Sequence, residues 1–374
     1  MSQSVADRIP LFRPSTGPEE AAEVARVLSS GWIGRGPETE LFEREFAGSL
    51  DCIMPPHCVM TSSGTAALQL ALMALGIGPG DDVLVPSNTF CADAHVVCAL
   101  GARPVFVDCC SSTGNVTPET VMEAITRRTR AIIVVHMGGM VCDVPGIDAV
   151  AGTVPVIEDC AHAAGSVAPW GPVGLGGTIG CWSFHAVKPL ACGEGGMLAT
   201  YRVDLADYAR RLSWLGIDRG THERTGPAGY RAEYEITDIG IKGHGNDVHA
   251  AIGRVQLRKL NAGVSRRNLI AAVYDEALQT NAAPTPKYGT VTSRHLYQAR
   301  TAHMSYFTIR LAAFGIDTGR HYRPLSTMGV YGDARRQCPG AEAWYASRVS
   351  LPCWAAMTDE QVSRVADAIR RAEE

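Results

Sequence analysis

The sequence has no run of basic residues longer than a pair, no apolar stretch of membrane-spanning length, no internal repeat and no low-complexity tract. Each absence closes off a class of function. Binding along a nucleic acid needs a concentrated basic surface. A formal net charge of -4 with dispersed Lys and Arg argues against one. A membrane span needs roughly 18 or more consecutive apolar residues, so no membrane partner is expected. The N-terminus, MSQSVADRIPLFRPS, lacks the basic segment and apolar core of a secretory leader. The 12 cysteines include no C-x-x-C pair, only the adjacent Cys109 and Cys110. That scatter reads as reduced, buried thiols, not as a disulfide framework or metal site. The expected location is the cytoplasm.

What is present is 46% hydrophobic and 19% charged over 374 residues, enough for a large core and two domains. Short β-rich runs occur at Val83–Pro86, Pro104–Asp108, Ala131–His136, Pro155–Asp159, Cys181–His185 and Gly196–Thr200. Most are apolar on both faces, as strands between helix layers should be. Helical patterns lie between several of them, such as Ala66–Leu75 and Thr117–Thr126, and earlier at Glu19–Ser29 and Glu38–Ala47. The alternation predicts an α/β domain with a mostly parallel sheet. A long amphipathic helix begins near Asp247, followed by a strand near His295–Arg300 and a helix near His303–Phe314. Thr358 and Gln361 form a capping-box pattern ahead of the last helix.

Four segments carry chemistry. In CWSFHAVKPLACGEGGMLAT, Cys181–Thr200, a lysine follows a strand in a largely apolar setting. Burial depresses the pKa of such an amine, and a neutral amine is what Schiff-base chemistry needs. Pro189 biases Lys188 toward extended backbone. In PVIEDCAHAAG an apolar strand delivers Glu158 and Asp159 at its carboxyl end, where open α/β sheets bind ligands. In TSSGTAALQLAL small hydroxylic residues and a glycine open a helix, whose free N–H groups make a phosphate cradle. Ser183 is placed to add a hydroxyl. In VPSNTFCAD, Phe90 lies just past a strand end and can stack on a flat ring. Taken singly, the same residues read as a surface lysine, a helix cap, a plain N-cap and a core aromatic.

Together, SSGTAAL, VPSNTF, EDCAHAAG, SFHAVK and GEGGM stand in one order along the chain. In that order they resemble the DegT/DnrJ/StrS-type sugar aminotransferases, which depend on pyridoxal 5'-phosphate (PLP). The resemblance runs from about Pro10 to the C-terminus. It implies PLP fold type I: a large domain (residues 1–250), whose mostly parallel central sheet is sandwiched by helices, and a smaller C-terminal α+β domain (residues 251–374). It further implies that Gly64, Thr65 and Ser183 hold the PLP phosphate and that Phe90 covers one ring face. Asp159 is then paired with the ring nitrogen, His162 is near the ring hydroxyl, and Lys188 is the Schiff-base lysine. Lys242, in GIKGHGNDVHAAIG, takes the position that reaches the neighbouring subunit's cofactor in a homodimer with shared active sites. Ala186, Pro189–Leu190, Gly243 and Gly245 depart from the family pattern, and the two glycines loosen the loop around Lys242.

The expected reaction moves an amino group from an amino acid, with glutamate the expected donor, to a keto-sugar. A nucleotide-linked 4-keto-6-deoxy sugar is the first expectation, a 3-keto sugar or inosose-type cyclitol the alternative. A sugar dehydratase, which carries His in place of the lysine, and a non-catalytic regulatory protein of the same fold are the remaining readings. Trp32 with Arg35, and His321 with Tyr322, are candidate acceptor contacts. Arg320 and Arg323 face either a diphosphate or bulk solvent.

Overall fold

The structure, a computed structural model, describes residues 8–218, 225–226, 229–230, 233–278, 290–334 and 336–373. The expectation for the N-terminus rests in part on residues 1–7, which lie outside that set. Seven strands form the central sheet, in the spatial order His57–Thr61, Gly196–Thr200, Ile179–Ser183, Val156–Asp159, Thr129–Val135, Asp82–Pro86, Arg103–Val107. Gly196–Thr200 alone runs against the rest. The carboxyl ends of all the other strands therefore gather on one edge. The inner strands Asp82–Pro86 and Val156–Asp159 are buried along their whole length, which is why their sequences read as apolar runs and not as alternation.

Two elements differ from expectation. The strand expected at Cys181–His185 is Ile179–Ser183. Its ladder with the neighbouring strand closes at Ser183 against Gly196. Lys188 therefore sits past the strand in a turn, its N–H bonded to His185 O at 2.9 Å. The helix expected at Thr117–Thr126 spans only Pro118–Met122. Thr126 N–H goes to the Thr129 hydroxyl at 2.9 Å instead of to a helical carbonyl, which turns the chain into its next strand. The sheet-edge strand His57–Thr61 and the helices Ala92–Ala99, Val144–Ala151, Val203–Leu212 and Pro339–Ser347 do not stand out in the sequence.

The helix Asp247–Leu278 joins the two ends of the molecule. Ala250, Leu260 and Val264 pack in the cluster of Phe42, Phe46 and Trp182. Ile270, Tyr274 and Leu278 pack in a separate cluster with Tyr297, Phe307, Val349 and Ile369. A boundary at residue 250 thus falls in this helix's first turn. The C-terminal part docks on the sheet's carboxyl edge: Leu325 N–H donates to Ser87 O at 2.8 Å and Tyr322 N–H to Asn88 Oδ1 at 3.3 Å. All 12 cysteines are free thiols. Among the described residues no helix is long and apolar enough to cross a membrane.

Candidate active site

A cleft of about 380 Å³ opens at the carboxyl edge of the sheet. Its first wall is the start of the helix Gly64–Ala74. Ser63 caps that helix by accepting from Ala66 N–H at 3.1 Å. The N–H groups of Gly64 and Thr65 have no hydrogen-bond partner among the described residues, so an anion can take them. A Cβ on Gly64 would lie 2.7 Å from Ser183 Cβ, so only glycine lets the helix end approach the end of the neighbouring strand this closely.

Lys188 faces the same cleft, half-buried. Burial pushes its amine down to about 8, while the nearby acids Asp159 and Asp93 hold it up. Asp159, the last residue of its strand, is 7% exposed. Burial pushes its carboxyl up, opposed by the Ala161 N–H, which donates to Oδ1 at 2.8 Å, and by Lys188. An acid so placed favours a cation entering the cleft beside it. Glu158, one residue earlier, points to the other face of the strand. There it accepts from Gly174 N–H, Gly177 N–H and the His136 ring, and so ties down the segment that leads into the next strand.

The remaining wall comes from far along the chain. Gly138 N–H donates to His162 Nδ1 at 3.2 Å, which leaves the ring proton on Nε2, 3.4 Å from the Tyr322 hydroxyl. Burial holds His162 well below its usual range, so it is a neutral hydrogen-bonding group. His321 is likewise pushed down to about 4 by burial and by Lys188. Phe90 stands at the cleft with 55% of its surface exposed, its ring 5.8 Å from that of Tyr322.

Of the residues singled out from sequence, Lys188, Asp159, Gly64, Thr65, Phe90, His162, Ser183, His321 and Tyr322 line this one cleft. Trp32 and Lys242 do not. They line a second cleft of about 400 Å³ with Arg35, Trp214 and His244. Lys242 Nζ lies 3.5 Å from the centre of the Trp214 ring, and Trp32 Nε1 donates to Arg35 O at 3.1 Å. Arg320 stacks on Tyr345 at 3.6 Å and donates to its carbonyl. Arg323 is exposed and outside the cleft lining. Sequence reasoning missed Phe12, His295 and Glu194, which also line the cleft, and buried Asp93 behind it. Glu194 stood inside a quoted motif; Phe12 and His295 carry no local signal.

The cleft suits PLP. A lysine with a depressed pKa, an acid seeking a cation, two free N–H groups at a helix start and an uncovered aromatic ring surround one space of small-molecule size. Comparison with known proteins agrees. A sequence profile of the DegT/DnrJ/EryC1/StrS aminotransferase family matches residues 14–370. The chain is similar to the aminotransferase TlmJ from Streptoalloteichus hindustanus, at 36% identity over 98% of this chain and 99% of that one, with TM-score 0.91. It is similar to S. venezuelae DesV at 35% identity, 95% of either chain and TM-score 0.86. A putative sugar aminotransferase from Streptococcus pneumoniae, solved in its PLP form, matches at 29% identity, 98% of either chain and TM-score 0.88.

Proposed function

The chain belongs to the DegT/DnrJ/EryC1/StrS aminotransferase family and is a PLP-dependent transaminase; from that premise we propose that it transfers the amino group of an amino acid, glutamate first, to a nucleotide-linked 4-keto-6-deoxy sugar. The observation that carries this reading is the convergence of Lys188, Asp159 and the helix start at Gly64 and Thr65 on one cleft.

In this reading Gly64, Thr65 and Ser183 hold the phosphate of PLP, Phe90 covers its ring, His162 meets its hydroxyl and Asp159 its ring nitrogen. When bound, PLP supplies an aldehyde that condenses with amines and a ring that draws electrons from the bond being broken. At rest Lys188 Nζ would hold the cofactor. Once released it takes the proton from the donor's Cα, and in the second half-reaction it delivers a proton to the sugar carbon that gains nitrogen. Asp159 keeps negative charge next to the ring nitrogen throughout. His162, neutral and fixed in one tautomer by Gly138, donates toward Tyr322 without adding charge. His321 and Tyr322 meet the acceptor. The protein works as a homodimer in which the Trp32–Lys242 face of one protomer completes the Lys188 cleft of the other. The separation of Lys242 from its own chain's Lys188 cleft supports this.

The test is incubation of the PLP-loaded protein with glutamate and a panel of nucleotide-linked keto-sugars and inososes, with mass detection. An aminated 4-keto-6-deoxy nucleotide sugar is the expected product. Amination of an inosose or a 3-keto sugar alone would replace the acceptor, and no amination at all would remove the reading.

A further inference from the structure

One buried acid has no task in the scheme above. Asp93 stands in the first turn of the helix Ala92–Ala99 and is 1% exposed. Its neighbours in sequence, Thr89 and Ala92, both line the Lys188 cleft. The Thr89 hydroxyl donates to Asp93 Oδ2 at 2.5 Å. Oδ1 is buried and has no hydrogen-bond partner among the described residues. Among the described residues no cation is bonded to Asp93, and a lone buried carboxylate takes up a proton sooner than remain charged.

The charged and titratable groups that act on Asp93, or on which it acts, come from several elements. Asp159 ends one strand, Cys181 lies in the next, Lys188 follows in its turn, and Tyr322 and Tyr331 come from the C-terminal part. Two carboxylates sharing one buried site do not both ionise. Asp159 has the stronger claim to the charge. It accepts a backbone N–H from Ala161, it is attracted by Lys188 and His136, and it lines the cleft, where a cation reaches it. Asp93 has one hydroxyl.

We propose that Asp93 is a neutral carboxylic acid, the proton-holding half of a pair that leaves Asp159 as the sole anion beside Lys188. Asp93 is thus a positioning residue, setting the charge that Asp159 presents. At neutral pH it adds no second anion next to Lys188. An ionised Asp93 would make Lys188 hold its proton more tightly and so oppose the neutral amine at any given pH. The role rests on the cleft being the cofactor site, but the protonation state has its own readout.

That readout is infrared difference spectroscopy in heavy water on the full chain, with and without PLP, using carbon-13-labelled aspartate. At neutral pH the wild type should show a protonated-carboxyl C=O band that shifts with the label and is missing from Asp93→Asn. In Asp159→Asn the band should persist, and the pH at which it disappears should fall by at least about one unit, because the repelling neighbour is gone. Absence of the band in the wild type, its survival in Asp93→Asn, or an unmoved midpoint in Asp159→Asn overturns the proposal. If Asp93→Asn does not fold, the Asp159→Asn midpoint decides. A protein that aminates no keto-sugar but shows these bands would lose the reaction assigned above and keep the acid pair.

Discussion

At Lys188 burial lowers the amine's hold on its proton and the neighbouring Asp159 raises it, and burial wins. A folded value of about 8 against an ordinary 10.5 means that the folded chain binds fewer protons than the unfolded chain between those pH values. Stability therefore rises with pH across that window. Lys188→Met in the cofactor-free protein should melt higher than wild type at pH 7, and the gap should close as pH passes from about 8 to 10.5; a gap independent of pH would contradict the depressed amine. Lys188→Ala and Lys188→Arg should each lower amino transfer by at least about 10³-fold with an unchanged circular dichroism spectrum. Lys188, Asp159 and Phe90 were legible because each follows an apolar run and belongs to a recognisable segment. Asp93, although it ends the segment VPSNTFCAD, and His295 were not, since nothing local separates a buried acid or imidazole from one on a solvated helix or strand.

Helix starts and close approaches decide how the site is held at the scale of elements. Gly64→Ala forces the helix Gly64–Ala74 away from Ser183, at an expected cost of about 1–3 kcal/mol. PLP affinity, measured by fluorescence titration, should drop tenfold or more, whereas Gly48→Ala, with open space around its Cβ, should leave it unchanged. Asp247 accepts from Gly36 N–H, Glu38 N–H, Thr39 N–H and the Thr39 hydroxyl, capping the helix Pro37–Ser49 from outside it. Asp247→Ala strands those buried donors and should cost roughly 2–4 kcal/mol in urea unfolding; a change below 1 kcal/mol would mean that water replaces the carboxylate. The capping box at Thr358 and Gln361 formed as its spacing suggested, with reciprocal bonds of 3.0 and 3.2 Å, because both partners lie within one turn. The cap from Asp247 spans more than 200 residues of chain, so no spacing rule announces it.

For the whole molecule, Lys242 belongs to a different cleft from Lys188 on the same chain, and the proposed homodimer makes a direct forecast. Mixing Lys188→Ala with Lys242→Ala protomers, each impaired alone, should restore roughly a quarter of wild-type activity, since half of randomly mixed dimers are hybrids and each hybrid has one intact site. No recovery on mixing would place both residues' roles within one protomer. The sequence by itself determined the alternation of buried strands and helices, the order of the chemical segments and the family, because these are written in neighbouring residues: apolar runs of strand length, a glycine at a helix start, a lysine after a strand. Only the tertiary structure decided that His321 and Tyr322 line the cleft of Lys188, that Trp32 and Lys242 stand apart from it, that Glu158 turns away from the cleft while Asp159 turns in, and that Asp93 lies behind it. Those facts depend on which distant surfaces meet and how much water their meeting expels, and the local pattern does not record either.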